Sequence, residues 1–235
     1  MQGYSEYEAA LKSSRADFGD ALKPFFAEND RKTLMLFWIN FSSNGVGMTE
    51  PVEGWIHRAG ENCLKLGFEK LGKYLCEHAA HEANHHHMMI KDTKKLVDTW
   101  NEIYNPKMDA NELLRRPYRE SVMRYRLLFD NYVNSETPYC QAAMEYEIEN
   151  LSCTYGVESL NHVAKVLGKD FLEQLSFLSE HVKVDTWHTE LNKKAITGLI
   201  ESHPETLRHL IESGQQVLKT YSGFLTDCYY LSVSK

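Results

Sequence analysis

The chain has 235 residues, of which 43% are hydrophobic and 25% are charged, as is usual for a globular protein with a substantial core. Its formal net charge of −7 and the absence of a long basic run argue against nucleic acid as a partner. No stretch approaches the roughly 20 apolar residues that span a bilayer, and the acidic N-terminal segment does not resemble a signal peptide. We therefore expect a cytoplasmic protein that binds neither nucleic acid nor membranes.

The chain shows no boundary that would divide it into domains. It contains no internal repeat, low-complexity tract or linker rich in proline and glycine. Its five cysteines are dispersed without a paired spacing, which favours reduced thiols over disulfides. We predict a single domain over residues 1–235.

Apolar residues recur mostly at the spacing of amphipathic helices, and prolines separate the helical segments. Residues 34–41 predict a buried helix, and residues 44–47, which include two glycines, predict a loop. Strand signals are weak. We therefore predict an all-α bundle of about seven or eight helices. The prolines that mark its breaks are Pro51, Pro106, Pro117, Pro138 and Pro204.

Residues 77–92 form a histidine-rich segment that we predict to be one helix. On that helix Glu82 and His85 lie about 60° apart around the axis and about one turn apart along it, so they can share a site. Such a pair of carboxylate and imidazole is a typical metal-binding element of helical proteins. His78 lies near the same face, His81 and Asp92 are reserve candidates there, and His86 and His87 point elsewhere.

A second stripe is formed by His181, Asp185 and His188. If this segment is helical, Asp185 lies about 40° and His188 about 20° from His181 around the axis. Histidine with carboxylate is the ligand set of non-haem iron centres, which leave positions open for O₂. The alternative is a structural cluster whose polar groups are satisfied by the backbone or by Lys183.

A third segment offers Glu145, Glu147 and Glu149. On a helix Glu145 and Glu149 share a face, whereas Glu147 lies nearly opposite. The pattern does not choose between Glu145 and Glu149. Three carboxylates from the three segments would nearly neutralise two Fe²⁺ ions, which favours a dinuclear site in a low-dielectric interior.

Together these elements resemble the haem-oxygenase-like non-haem diiron oxidases and oxygenases. The matching motifs are Glu82-x-x-His85, an intermediate Glu149, and His181-x-x-x-Asp185-x-x-His188. The resemblance extends to the CADD-like proteins and, more distantly, to PqqC-like and TenA-like proteins. It covers most of the chain, from about residue 34 to residue 218.

The resemblance implies a compact haem-oxygenase-like bundle around a central cavity, usually dimeric. It implies two iron ions, with manganese in one or both positions as the alternative, that activate O₂ to oxidise a small organic substrate. Carried over to this chain, the metal ligands are Glu82, His85, Glu149, His181, Asp185 and His188. Glu145 is the alternate for Glu149.

Three aromatic residues, Tyr125, Tyr146 and Trp187, are candidates for lining the cavity or transferring a radical, with Tyr146 and Trp187 preferred. Two rival functions stay open. Cys153, one turn beyond Glu149, could serve as the nucleophile of a TenA-like thiaminase or hydrolase. The chain could also be a CADD-like interaction protein without enzymatic activity.

Overall fold

The computed structural model describes residues 2–234, except for the side chains of residues 2 and 186, and it is all-α as predicted. Four short turns, three of them 3-10 and one π, supplement the helices. The α-helices are α1 Gln2–Ala27, α2 Arg31–Thr49, α3 Val52–Lys65, α4 Glu69–Ala79, α5 His85–Ile103, α6 Ala110–Leu114, α7 Glu120–Val133, α8 Cys140–Leu151, α9 Val157–Val166, α10 Ser176–Ser202 and α11 Leu207–Val233.

The described part of the chain is divided into more helices than the sequence pattern indicates, because several breaks lie inside long helical segments. Pro51 precedes α3, as predicted, whereas Gly67, with a φ of 89°, adds a break between α3 and α4. A positive φ costs glycine little because it has no Cβ. The short α6 lies between Pro106 and Pro117, two of the predicted breaks.

The predicted loop at residues 44–47 is wrong, because this segment lies inside α2. Gly45 leaves room for a neighbouring side chain and does not form a turn. A Cβ at this position would lie 2.6 Å from Met89 Sδ on α5. The glycine therefore allows α2 and α5 to approach each other closely.

The core is built around α2 and α8, both of which are buried on most of their surface. Helix α2 packs against α5 and α11, and α8 packs against α10 and α11. This arrangement brings α5, α8 and α10 to one region of the interior. Over residues 2–234, no helix combines the length and hydropathy that a membrane span requires.

Asp92 of α5 fixes the start of α10. Its carboxylate accepts hydrogen bonds from Ser176 Oγ at 2.6 Å and from the Phe177 backbone N–H at 2.9 Å. A carboxylate in this position satisfies amide groups that the first turn of a helix leaves unpaired. Asp92 is therefore committed to positioning α10 and does not serve as a reserve metal ligand.

Candidate metal centre

Glu82 and His85 lie at a break between two helices. A 3-10 turn covers Ala80–Glu82, and Asn84, with a φ of 68°, precedes α5. The prediction of one continuous helix over residues 77–92 is therefore wrong. Asparagine adopts this left-handed conformation more readily than most residues. The break still places His85 Nδ1 2.8 Å from Glu82 Oε2.

The stripe on α10 is helical, as expected, and faces this pair. His181 Nδ1–H donates a hydrogen bond of 2.8 Å to the Phe177 carbonyl, so its other nitrogen, Nε2, keeps the lone pair that can bind a metal. His188 Nδ1 lies 3.8 Å from Asp185 Oδ1 and 3.7 Å from Glu82 Oε1. The two oxygens of Glu82 thus face different imidazoles.

Helix α8 contributes Glu149 and Glu145, both of which are buried. Glu149 Oε2 accepts a hydrogen bond of 2.6 Å from Asn192 Nδ2, and Glu149 Oε1 lies 3.8 Å from His188 Nδ1. Glu145 Oε1 accepts a hydrogen bond of 2.6 Å from Gln141 Nε2. This geometry favours Glu149 as the ligand from α8.

The structure therefore brings all six candidate ligands together at one place in the interior. One ligand atom each from Glu82, His85 and His181 lies within 4.8 Å of the others, and Glu82 also belongs to a second such group with Glu149 and His78. Ligand atoms at this spacing, drawn from imidazoles and carboxylates, fit a metal of the iron or manganese type. Glu82 lies between the two groups and can bridge two ions.

Glu82 is held in its charged form by the histidines around it. Burial alone would raise the pKa of Glu82, but the hydrogen bond and charge of His85, aided by His181 and His78, hold that pKa at about 2. Burial would likewise lower the pKa of His85, and Glu82 raises it instead. The pair is thus an ion pair in which a metal can replace the proton.

The other candidate ligands favour their neutral forms. Burial raises the pKa of Asp185 to about 8 and that of Glu149 well above its ordinary range. Burial lowers the pKa of His181 and of His188. Neutral imidazoles are ready to bind a metal, whereas the two carboxylic acids must first release protons.

We expect the Asp185→Asn variant of the metal-free protein to gain stability over the wild type as the pH rises. Between about pH 4 and pH 8 the unfolded chain loses the Asp185 proton while the folded protein keeps it, so wild-type stability falls. The asparagine does not titrate. The difference in the free energy of unfolding should grow by at most about 1.4 kcal/mol per pH unit and level off above about pH 8.

Urea denaturation of both metal-free proteins at a series of pH values measures this difference. All other titrating groups are shared, so they largely cancel in the comparison. A difference that stays constant between about pH 5 and pH 8 would contradict the raised pKa of Asp185.

A cavity adjoins the cluster on the side of His181. Its polar wall is formed by Glu82, Glu145, Glu149, His181 and Asp185. Tyr125 also lines it, as the sequence indicated. The rest of the wall is largely apolar and includes Phe41, Met48, Met89, Phe177, Tyr221 and Phe224. No lysine or arginine is among the described lining residues.

Tyr146 and Trp187 do not line this cavity, so that part of their prediction is wrong. Trp187 is 55% exposed and lies beside the ring of His81 on the surface. Tyr146 lies on another face of α8, where its hydroxyl is 2.7 Å from the hydroxyl of Tyr4. A role of either residue in radical transfer stays a prediction.

Two buried residues of the cluster were given no role from the sequence. His78 lies in the last turn of α4 and is 1% exposed. Asn192 orients Glu149 and accepts a hydrogen bond of 2.8 Å from Tyr74 Oη. Asn192 follows His188 by four residues, so the periodicity of the α10 stripe could have indicated it. His78 carried a weaker signal, since several histidines surround it.

Cys153, the candidate nucleophile of the rival hydrolase, lies in the π-helical turn Ser152–Gly156 that follows α8. Its Sγ is 3.7 Å from Thr189 Oγ1. Its neighbour Ser152 lines the cavity, whereas Cys153 is not among the described lining residues. This placement gives a nucleophile at Cys153 no direct access to the cavity from the described wall.

Searches with the sequence matched no family model and no curated protein. A comparison of folds did find similar solved structures. One is the crystal structure of a domain of unknown function with a haem oxygenase-like fold from Shewanella denitrificans, with a TM-score of 0.71 and 18% sequence identity over 94% of this chain and 90% of that chain. The chain therefore has a haem oxygenase-like fold, as the sequence resemblance implied.

Proposed function

We propose that the protein is an O₂-dependent oxidoreductase with a dinuclear non-haem iron centre that oxidises a small organic substrate. The iron ligands are Glu82, His85, Glu149, His181, Asp185 and His188. The observation that carries this proposal is the convergence of three imidazoles and three carboxylates from four chain segments beside an internal cavity. The pair of iron(II) ions would supply the electrons that O₂ reduction requires.

The protein's own contribution is charge balance, orientation and exclusion of water. Glu82 can hold both ions because its oxygens face different imidazoles. The Phe177 carbonyl fixes the ring of His181, and Asn192 fixes the carboxylate of Glu149. Such partners hold ligands in the geometry that a metal requires.

The cavity indicates the class of substrate. Aromatic rings and methionine side chains form most of its apolar wall, including Phe41, Met89 and Phe224. Because the described lining residues include no lysine or arginine, nothing there offers a counter-charge for an anion apart from the metal ions. We infer a mainly apolar substrate, with any anionic group directed at the metals.

The decisive experiment is anaerobic loading of the purified protein with iron(II), followed by mixing with O₂. We expect about two iron ions per chain by elemental analysis and a transient visible absorption band after O₂ is added. The Glu77→Ala variant is a matched control, since Glu77 is exposed on α4 near the site. Iron at trace level together with no absorption change would overturn the proposal.

The same preparation separates the rival functions. In the oxidase, chelators abolish O₂ consumption and Cys153→Ser leaves it intact, whereas a TenA-like hydrolase survives chelators and loses its activity with Cys153→Ser. Loading with manganese(II), alone or with iron(II), identifies the metal pair. In an interaction protein without catalysis the metal site would be vestigial or structural, and His181→Ala and His188→Ala would leave its biological function intact.

Location in the cytoplasm and assembly into a homodimer belong to the same proposal. The homodimer is expected from the resemblance to the diiron oxidases. Light scattering on the purified full-length chain measures it directly.

A further inference from the structure

His78 is a buried imidazole without a hydrogen-bond partner. It is 1% exposed, and neither Nδ1 nor Nε2 has a partner among the described residues. Tyr74 stacks on one side of the ring and the ring of His188 meets it edge-on at 5.1 Å. Buried polar atoms are nearly always paired, since an unpaired one has lost its hydrogen bonds to water without replacement.

A carboxylate oxygen of Glu149 that lies close to His78 is also unpaired among the described residues. His78 Nε2 lies 3.3 Å from Glu149 Oε1, which has no hydrogen-bond partner either, whereas Glu149 Oε2 is bound by Asn192. These two unpaired atoms face each other at 3.3 Å without the alignment of a hydrogen bond. Two ligands of one metal ion would be arranged in this way. Neighbouring ligands with bonds of about 2.1 Å lie about 3.0–3.4 Å apart.

Other distances indicate the same position for an ion. His188 Nδ1 lies 3.8 Å from Glu149 Oε1 and 3.7 Å from Glu82 Oε1. His78, Glu82 and Glu149 each offer a ligand atom, and these atoms all lie within 4.8 Å of one another. These four residues therefore offer ligand atoms close to one another.

We propose that His78 is a seventh protein ligand of the metal centre and binds the ion held by Glu149 and His188. The inference rests on the proposed metal centre and adds to it. It gives the ion held by Glu149 and His188 a second imidazole ligand.

His81 is the competing candidate. Its ring stacks parallel to that of His188 at 5.5 Å, and a ligand atom of His81 lies within 4.8 Å of those of His78 and His188. However, His81 is exposed, whereas His78 is buried. Its substitution therefore provides a matched control on a neighbouring imidazole.

The test is an anaerobic titration of the full-length protein with cobalt(II), with bound metal counted after gel filtration. We expect two ions in the wild type and in His81→Ala. In His78→Leu, which keeps the side-chain volume roughly unchanged, we expect one tightly bound ion and a second weakened at least about tenfold. Circular dichroism of the metal-free proteins checks that each variant is folded.

If folded His78→Leu still binds two ions tightly, the role of His78 is overturned and the metal centre is not. The same holds if one ion is lost in His81→Ala but not in His78→Leu. A wild type that binds no ion would overturn both. Should His78→Leu fail to fold, the iron-loaded wild-type crystal decides. An anomalous peak about 2.1 Å from His78 Nε2 supports the ligand, and one beyond about 3.5 Å from it refutes it.

Discussion

The Glu82→Ala variant should lose both metal ions, because in the proposed centre this one carboxylate would bind both of them. Glu82 Oε2 lies 2.8 Å from His85 Nδ1, and Glu82 Oε1 lies 3.7 Å from His188 Nδ1. Removing Glu82 would deprive both proposed ions of a ligand. Two carboxylates, instead of three, would then remain to balance the charge of the ions. Each lost ligand weakens metal binding by more than the 10- to 100-fold typical of residues that only orient a ligand.

Elemental analysis after anaerobic loading and desalting measures the effect. We expect about two ions in the wild type and close to none in Glu82→Ala, with the absorption change on O₂ addition also lost. Replacement of the exposed Glu77 by alanine should change neither value. One tightly retained ion would show that Glu82 binds a single metal and does not bridge.

The Arg15→Met variant should be less stable than the wild type by about 3 kcal/mol or more. Arg15 donates hydrogen bonds of 2.8 Å from Nε and Nη2 to Glu147, whose side chain is fully buried on α8. Tyr7 Oη also donates to Glu147. Without Arg15, Glu147 would remain as an uncompensated charge in the core.

Urea denaturation of the metal-free proteins gives the free energy of unfolding. The Arg15→Met/Glu147→Gln double variant should recover most of the loss, since the buried charge is then absent. Lys23→Met is the matched control, because its ion pair with Asp20 is exposed and should contribute less than about 1 kcal/mol. Equal stability of Arg15→Met and the wild type would contradict the assignment.

The helical fold could be predicted because the spacing of apolar residues is a local property. What the sequence pattern misjudged depends on distant contacts. Gly45 is predicted as a loop residue, but in the structure Met89 of α5 occupies the space that a side chain at this position would need. The sequence pattern does not predict the break at Asn84, because neither glycine nor proline marks it. Asparagine adopts the left-handed conformation more readily than most residues, but this is a weaker signal.

The prediction of the candidate site was most accurate where a single helix sets the geometry. On α10 the relative directions of His181, Asp185 and His188 follow from the helical repeat alone. The same repeat turns Trp187 about 100° away from His188, so its exposure could have been anticipated. The partner of His78, by contrast, comes from a different helix, and no spacing along the chain indicates it.

Helix α8 carries acidic side chains on opposite faces, and the two faces differ in the kind of counter-ion they receive. Glu147 is neutralised by Arg15, a cation built into the chain and present as soon as the protein folds. Glu149 has a hydrogen-bond donor in Asn192 and neutral histidines beside it, so its proposed counter-ion is an exchangeable one supplied by the surroundings. Helix α8 can thus fold in the absence of metal, with Glu149 protonated until a metal ion binds.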